Sequence, residues 1–466
     1  MRILSFASAA LSGPESIRTL KSLIQEAPGA PPEVCLVLSE LSGVRERLLA
    51  AASQAEAGQA GYAEEINRIR ERHVQVIQGL FPAREQTRIL TPIQILLSDL
   101  EDILHGVLLI RECTRRTQDL ILSLGVRACC LLVNEYLSRQ AVESRIVELP
   151  AIALGGAGEA RVDYPRSYEA IRRSLAPVRG VLVVAGGVAV TSQGVATLFR
   201  RDGCDLTASL LGAALGAEGI EFWTDRDGVM SADPAYASQA FVVPELSYQE
   251  AMELSYFGAR MVHPQAMIPA MELDIPVCVR NLAKPSEPGT RICRAPRGTR
   301  GPVTGIASIE PVALVNVEGA GMVGVPGIAA RLFGALGRAA VNIIMISQAS
   351  SEHSICVVFR QEEALRALQS LQTELAAELA AKQIQNFDLR QGLAIVAVIG
   401  ENMRGTPGIS GRLFSALGRE RINILAIAQG SSETNISFVI EGAEEGRALE
   451  TIHRAFLEDR SAEAAR

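Results

Sequence analysis

Residues 322–359 (MVGVPGIAARLFGALGRAAVNIIMISQASSEHSICVVF) and 403–440 (MRGTPGISGRLFSALGRERINILAIAQGSSETNISFVI) align without a gap, and 21 of the 38 pairs are identical. The offset is a constant 81 residues, from Gly327 to Gly408 and from Gln348 to Gln429. This is an internal duplication, so the last third of the chain folds as two copies of one unit. Each copy has the same order of signals. An alternating apolar run, Val312 to Val317 or Leu393 to Ile399, suits a half-buried strand. A Gly-x-Pro-Gly turn follows (324–327; 405–408), with proline near the first turn of a helix, where its missing N–H does no harm. Ile328, Leu332, Ala335 and Leu336 then form the stripe of an amphipathic helix. Gly337 and Gly418 are expected to supply left-handed caps. Strands over 342–347 and 355–359, and over 423–428 and 436–440, flank a Ser-Ser-Glu turn. A second helical stretch closes each copy (362–379; 444–457).

Hydrophobic residues make up 48% of the 466 and charged residues 21%, ordinary for a globular enzyme of two or three domains. A net charge of -7 leaves no basic footprint for nucleic acid. The eight cysteines form no CxxC pair and no zinc spacing, which predicts reduced thiols, no metal site and a cytoplasmic protein. No apolar run approaches the ~20 residues of a membrane helix. The apolar stretch at Met1–Ala10 is shorter than the roughly 7–15 residues of a signal-peptide core, and is expected to be a first buried strand, Ile3 to Phe6.

Upstream of the repeat, strand-like and helix-like segments alternate. Strands are expected at Val34–Ser39, at Gly180–Val190 (broken by Gly186 and Gly187) and at Ile220–Thr224. Helices are expected over 44–78, Ile121–Tyr136 and Thr207–Leu215. Such alternation implies a parallel sheet with helices on both faces, and ligands at the carboxyl ends of its strands. Three stretches stand out: Glu221-Phe-Trp-Thr-Asp-Arg-Asp-Gly-Val-Met-Ser-Ala-Asp-Pro234, Pro244-Glu-Leu-Ser-Tyr-Gln-Glu-Ala through His263-Pro264, and Asn281-Leu-Ala-Lys-Pro-Ser-Glu-Pro-Gly-Thr290.

With these motifs the chain resembles an aspartokinase of the amino-acid kinase fold, and the repeat resembles a tandem pair of ACT domains. The resemblance runs over nearly all of residues 1–460. The copies look closest to the threonine-inhibited type fused to homoserine dehydrogenase, although no dehydrogenase follows here. The implied fold is α/β: a parallel-rich sheet between helices over 1–295, then ferredoxin-like βαββαβ ACT units over 296–385 and 386–466, the second inserted into the first. The implied reaction transfers a phosphoryl group from ATP, with Mg²⁺, to the side-chain carboxylate of aspartate. An effector of the threonine or lysine class would bind the ACT pair, which would also join two chains into a homodimer.

Two anions must meet in that reaction, so positive charge and open backbone amides are required around the moving phosphoryl. The family's Lys-Phe-Gly-Gly-Thr-Ser segment matches Ser5-Phe-Ala-Ser-Ala-Ala10, so Ser5 replaces the lysine and both glycines are gone. Its Gly-Glu-Arg-Leu-Ser-Ala matches Gly125 to Cys130, with Val126 for the glutamate that holds the substrate ammonium. Arg200, Gly203, Asp205 and Thr207 still align with the third motif, where Asp202 adds a negative charge. Ser39 and Gly43 persist beside an Arg45 where threonine is usual. On the nucleotide side, Thr224, Asp225, Asp233 and Pro234 match, and Arg260 replaces a phosphate-reaching lysine. In the repeat, Asn342, Gln348, Asn423 and Gln429 are the amides placed to meet an amino acid. Three readings follow: a weak or inactive homologue with a sensing ACT pair and a catalytic aspartokinase as partner; a working kinase of aspartate or of another small carboxylate, in which Arg200, Arg201, Arg260 and Arg45 restore the lost charge; and a pure amino-acid sensor.

Overall fold

The structure is a computed structural model that describes all residues except 27–32, 150–151, 155–160, 192–195, 200–202, 259–261, 298–300, 323–324, 349–352 and 459–466, and the side chains of 152–154, 161, 190–191 and 196. Two compact units are present. The first comprises Met1–Val229, Pro244–Tyr248 and Met261–Pro296, and the second Met230–Val243, Gln249–Arg260 and Arg297–Arg466.

The first unit is built on an eight-stranded sheet in the order Glu245–Leu246, Thr290–Ile292, Val277–Asn281, Gly219–Thr224, Arg2–Phe6, Val34–Leu38, Val181–Ala185, Ser144–Val147. All neighbours are parallel except Val277–Asn281 with Thr290–Ile292. Val34 to Leu38 are each 0% exposed, as expected for a parallel strand covered on both faces. The run expected as one strand over 180–190 is two. Val181–Ala185 joins the large sheet and Val188–Thr191 joins a separate four-stranded sheet, the chain turning at Gly186 and Gly187, where φ is 81° at the second glycine. The helix expected over 44–78 is likewise divided into Val44–Glu56 and Tyr62–Leu80.

Two long helices complete this unit. Ala83–Ile110 buries Ile89, Ile93, Leu97, Leu100, Leu104 and Val107, a stripe repeating every three or four residues. Arg115–Arg139 is long and apolar enough, by length and composition, to cross a membrane, against the sequence expectation. It nevertheless buries most of its side chains in the core of the unit.

His73, on Tyr62–Leu80, is 0% exposed. Its Nδ1 lies 2.8 Å from the Ile69 carbonyl, and Nε2 has no hydrogen-bond partner among the described residues. Burial, with Arg72 nearby, holds the ring below its ordinary pKa of 6.5, against the opposing Ile69 hydrogen bond. An unfolded chain therefore takes the proton first as pH falls. Stability should be lost below about pH 6.5, at up to ~1.4 kcal/mol per pH unit until the folded ring also protonates. In urea titrations between pH 7.5 and 5.5, His73→Leu should remove that share of the loss. An unchanged slope would refute the assignment.

The second unit contains one six-stranded antiparallel sheet, in the order Ile343–Gln348, Ser354–Arg360, Gly305–Glu318, Asn386–Ile399, Asn435–Glu441, Ala426–Gln429. The two central strands are each 14 residues long and serve both repeat copies. Val312–Glu318 pairs with Ser354–Arg360 of the first copy, whereas Gly305–Ile309 pairs with Ile395–Ile399 of the second. The first copy is thus enclosed by the second, the reverse of the insertion expected from the resemblance. Separate cores lie under the two copies, one around Leu332, Leu336 and Phe359, the other around Leu413, Leu417 and Phe438. Gly327 and Gly408, with φ of 94° and 90°, start the repeat helices. Neither Gly337 nor Gly418 is a left-handed cap. Both lie inside their helices, and the left-handed residues are Ala340 and Arg421.

Residues 230–243 and 249–258, expected in the first domain, fold instead onto the second repeat copy. Glu250 accepts hydrogen bonds from Thr304 Oγ1 (2.5 Å) and the Glu401 amide (3.1 Å), and Glu253 from Asn435 Nδ2 (2.8 Å). Ala232 and Ala237 enter the core of that copy.

Candidate functional site

At the carboxyl ends of Arg2–Phe6, Val34–Leu38 and Val181–Ala185 the first unit opens into a cavity of about 560 Å³. It is lined by Ala7 and Ser8, by Ser39, Glu40 and Arg45, by Gln118 and Leu122, by Gly186 and Gly187, and by Leu198 to Asp205 where described. Its volume suits a small metabolite. The floor depends on close backbone approach. A Cβ on Gly186 would lie 2.6 Å from Cys204 Sγ, and one on Gly203 would lie 2.6 Å from Gly187 Cα. This approach seats the amino-terminal end of the helix Gly203–Leu215 against the cavity.

The polar groups of this cavity largely satisfy one another. Arg45 donates from Nε to Glu40 Oε1 (2.6 Å) and from a terminal nitrogen to Oε2 (3.3 Å), a two-pronged pair. Glu40 is 1% exposed, and the Arg45 side chain keeps 38% of its surface. Burial works against the Arg45 charge, and the Glu40 carboxylate more than restores it, leaving the guanidinium above its ordinary pKa. Ser5 is 0% exposed and donates to Asp205 Oδ1 at 3.0 Å, with Cys204 Sγ at 3.3 Å. Burial, reinforced by Asp205, pushes the Cys204 thiol up to about 12, so it is protonated at neutral pH and no nucleophile. Backbone donors are engaged too: Ala7 N–H with the Trp223 carbonyl (3.1 Å), Gly186 N–H with Leu38 (2.8 Å), and Gly187 N–H with Thr207 Oγ1 (3.0 Å).

The candidate residues therefore divide. Ser39 and Asp205 line the cavity, and Ser5 lies behind Asp205. Thr207 does not reach it as a substrate contact, because it is 0% exposed and its hydroxyl holds Gly187. Val126 is core packing at 1% exposure. Arg200 and Arg260 lie outside the described residues, as do Arg201 and Asp202. The sequence reading missed the Glu40–Arg45 pair. Its signal was an acidic and a basic residue five positions apart across one turn-helix segment, the second of them where the resemblance puts a threonine. Among the described lining residues the formal charges are one positive and two negative, and no lysine is present.

Of the residues expected on the nucleotide side, Thr224 and Asp225 sit at the end of Gly219–Thr224, beside Val277–Asn281. Thr224 Oγ1 accepts from the Arg226 amide (3.0 Å), and the Asp225 carbonyl accepts from Asn281 Nδ2 (3.3 Å). Asp227, unassigned from sequence, is bound by Lys284 Nζ and Asn281 Nδ2, each at 2.6 Å. Hydrogen bonds from Lys284 first, then Asn281, hold its carboxyl below the ordinary range. Asp233 belongs to the second unit, where its carboxylate accepts from the Ala235 amide (2.9 Å).

In the repeat, Asn342, Gln348, Asn423 and Gln429 are all exposed. Asn342 precedes and Gln348 ends the same strand, so about 20 Å of strand separates them. One amino acid cannot meet both amides of the first copy. The outer strands of the two copies come together instead, with Ser347 Oγ donating to the Ile427 carbonyl at 2.9 Å.

Comparison with known proteins places these features. Residues 1–281 match the amino acid kinase family, and residues 315–375 and 396–456 each match the ACT domain. Over 460 residues the chain is 32% identical to bifunctional aspartokinase/homoserine dehydrogenase 1 of Zea mays, covering 97% of this chain and 50% of that protein. It thus spans about half the length of the bifunctional relatives. Aspartokinase 1 of Arabidopsis thaliana is 30% identical over 471 residues, covering 98% of this chain and 80% of its own. Among solved structures, E. coli aspartokinase III in complex with aspartate and ADP superposes with a TM-score of 0.83 at 24% identity, covering 98% of this chain and 99% of that one. Its complex with lysine and aspartate gives a TM-score of 0.77 at 25% identity and the same coverage. The chain belongs to the amino acid kinase family, in its aspartokinase branch, and carries a tandem pair of ACT domains.

Proposed function

We propose that this aspartokinase homologue has lost most or all phosphoryl transfer from ATP to aspartate and acts as a regulatory, amino-acid-sensing protein. The observation that carries this reading is the Glu40–Arg45 ion pair inside the cavity where the two anionic substrates would meet. A guanidinium held by a buried carboxylate offers little to a phosphate, and Ser5 spends its hydroxyl on Asp205. Each missing donor of the oxyanion type costs roughly 10²–10³ in rate, although such losses need not add. The ACT pair, by contrast, keeps both cores and both outer strands.

The E. coli relative has been seen with lysine, and an effector of the lysine or threonine class is the corresponding ligand here. Ile346 and Ile427, exposed on the outer strands, support pairing of two chains through the ACT units, and an active aspartokinase is the natural partner for a sensor that has kept this surface. Thr224 and Asp225 keep a nucleotide-side surface in the first unit on which ATP with Mg²⁺ would rest without productive transfer. Eight free thiols, none in a disulfide, suit a reducing compartment such as the cytoplasm. A coupled ADP-release assay with aspartate and Mg-ATP tests the proposal. Turnover should stay well below ~1 s⁻¹, the low end of ordinary enzyme rates. Faster turnover from protein free of host aspartokinase would overturn it.

A further inference from the structure

Residues 230–243 lie within the span that matches the amino acid kinase family, yet they pack in the second unit. Ser231 holds them there. Its amide donates to the Phe241 carbonyl, and its carbonyl accepts from the Ile306 amide, both at 2.8 Å. Its hydroxyl oxygen accepts from the Phe241 amide (3.0 Å) and lies 3.0 Å from His453 Nε2, while His453 Nδ1 lies 2.8 Å from Glu458 Oε1. Buried donors are paired, and one arrangement leaves none of these idle: Ser231 donates to Nε2, and Nδ1–H donates to the Glu458 carboxylate. The residue types are those of a hydrolase triad. However, Ser231 and His453 are both 0% exposed, which leaves no approach for a substrate. This row of bonds is a fastening.

Glu458 reaches His453 because of how the backbone is wound. The helix Glu445–His453 runs on into a π-helical turn, Arg454–Glu458. Such a turn closes its hydrogen bonds between residues five apart, which sets those residues on one side. On an α-helix of 3.6 residues per turn the same two residues point about 140° apart. Rewound as α-helix, the turn would carry Glu458 away from the imidazole. It would also shift Phe456 and Leu457, now 4% and 5% exposed, from their places in the core of the second copy. A third element grips this turn. Arg412, on the repeat helix Ile409–Arg419, donates to the Ala455 carbonyl, and its guanidinium lies 5.0 Å from the centre of the Phe456 ring, within cation–π range. At the same place in the first copy Arg331 meets the carboxylates of Glu374 and Glu378 instead.

We propose that the π turn Arg454–Glu458 is a coupling strap within the second unit. Wound as it is, it lets the helix Ile409–Arg419 hold the segment from Ser231 to Phe241 closed, through Arg412, Glu458 and His453. A shift of that helix that rewinds the turn frees the segment. The two windings are discrete, because the Glu458–His453 bond and the seating of Phe456 are made or lost together. Any ligand or contact that moves the helix works the strap, so it stands whether or not the amino-acid-sensing reading does.

Hydrogen exchange on the full chain tests it. Glu458→Ala strands Nδ1–H in a buried place, and Arg412→Ala releases the turn from its other side. Each should lower the protection of the Ser231 and Phe241 amides about tenfold, the effect of one buried hydrogen bond lost. Amides of the strand Asn435–Glu441 should keep theirs, since the copy stays folded. With both substitutions together the loss should remain near tenfold and not approach a hundredfold, because both break one connected row of contacts. Glu458→Gln, whose amide oxygen still accepts from Nδ1–H, should retain wild-type protection. Unchanged protection in Arg412→Ala, full additivity of the two alanine substitutions, or a Glu458→Gln variant as loose as Glu458→Ala would overturn the strap. A loss shared equally by 435–441 would make both residues ordinary contributors to stability, and would overturn it too.

Discussion

Replacing Ser5 by lysine and Glu40 by alanine together should raise the affinity of this chain for Mg-ATP by about a hundredfold. Among the described lining residues the cavity carries Arg45 against Glu40 and Asp205. Lysine at 5 would set an ammonium where the Ser5 hydroxyl now meets Asp205 Oδ1 at 3.0 Å, cancelling one carboxylate. Alanine at 40 removes the other and frees the Arg45 guanidinium. At separations of several ångströms and an effective dielectric near 20, each unit charge changes the energy of a phosphate by roughly 1–3 kcal/mol after screening, about tenfold or more in affinity. Glu40→Gln alone should give about tenfold and leaves the strand undisturbed, so it guards against misfolding of the lysine variant. Calorimetry reads both. If neither variant binds nucleotide better than the wild type, charge is not what closes the cavity.

How much of this was legible beforehand follows the range of the interactions. The duplicated unit could be read because its signals are local and repeated: the turn before each helix, the Leu332 and Leu413 stripe, the flanking strands. Buried parallel strands such as Val34–Leu38 were legible for the same reason. The helix Ala83–Ile110 went unread, since Pro92 lies inside it and proline usually marks a boundary. The glycines at 337 and 418 misled, because the chain turns three residues later, at Ala340 and Arg421. Long-range placement was beyond reach. Ser231 and His453 are 222 residues apart, so nothing local reveals that a segment of kinase sequence is fastened to the repeat. At the candidate site, motif matching singled out Ser5 and Val126 but not the Glu40–Arg45 pair. Thr207, kept in sequence, turned out to be spent on the Gly187 amide.

The sharpest stability test concerns the same ion pair from its other side. Arg45→Ala should destabilise the first unit by about 2 kcal/mol. Removing one partner of a buried pair typically costs roughly 3–5 kcal/mol, because the remaining charge is left without compensation. Here the carboxylate is the stranded group, at 1% exposure. The guanidinium keeps 38% of its side-chain surface, so solvent already screens part of the attraction and the cost is reduced. Adding Glu40→Gln to Arg45→Ala should recover most of the loss, since a neutral amide needs no counter-charge. The double-mutant cycle then isolates the coupling from the separate costs. Trp223 is the sole tryptophan, fully buried in the same unit, so its emission during urea unfolding reports this unit and not the ACT pair. A loss below about 0.5 kcal/mol for Arg45→Ala, the scatter of ordinary surface substitutions, would mean that water already satisfies Glu40. The cavity would then be open to anions after all, and the proposed loss of phosphoryl transfer would need another cause.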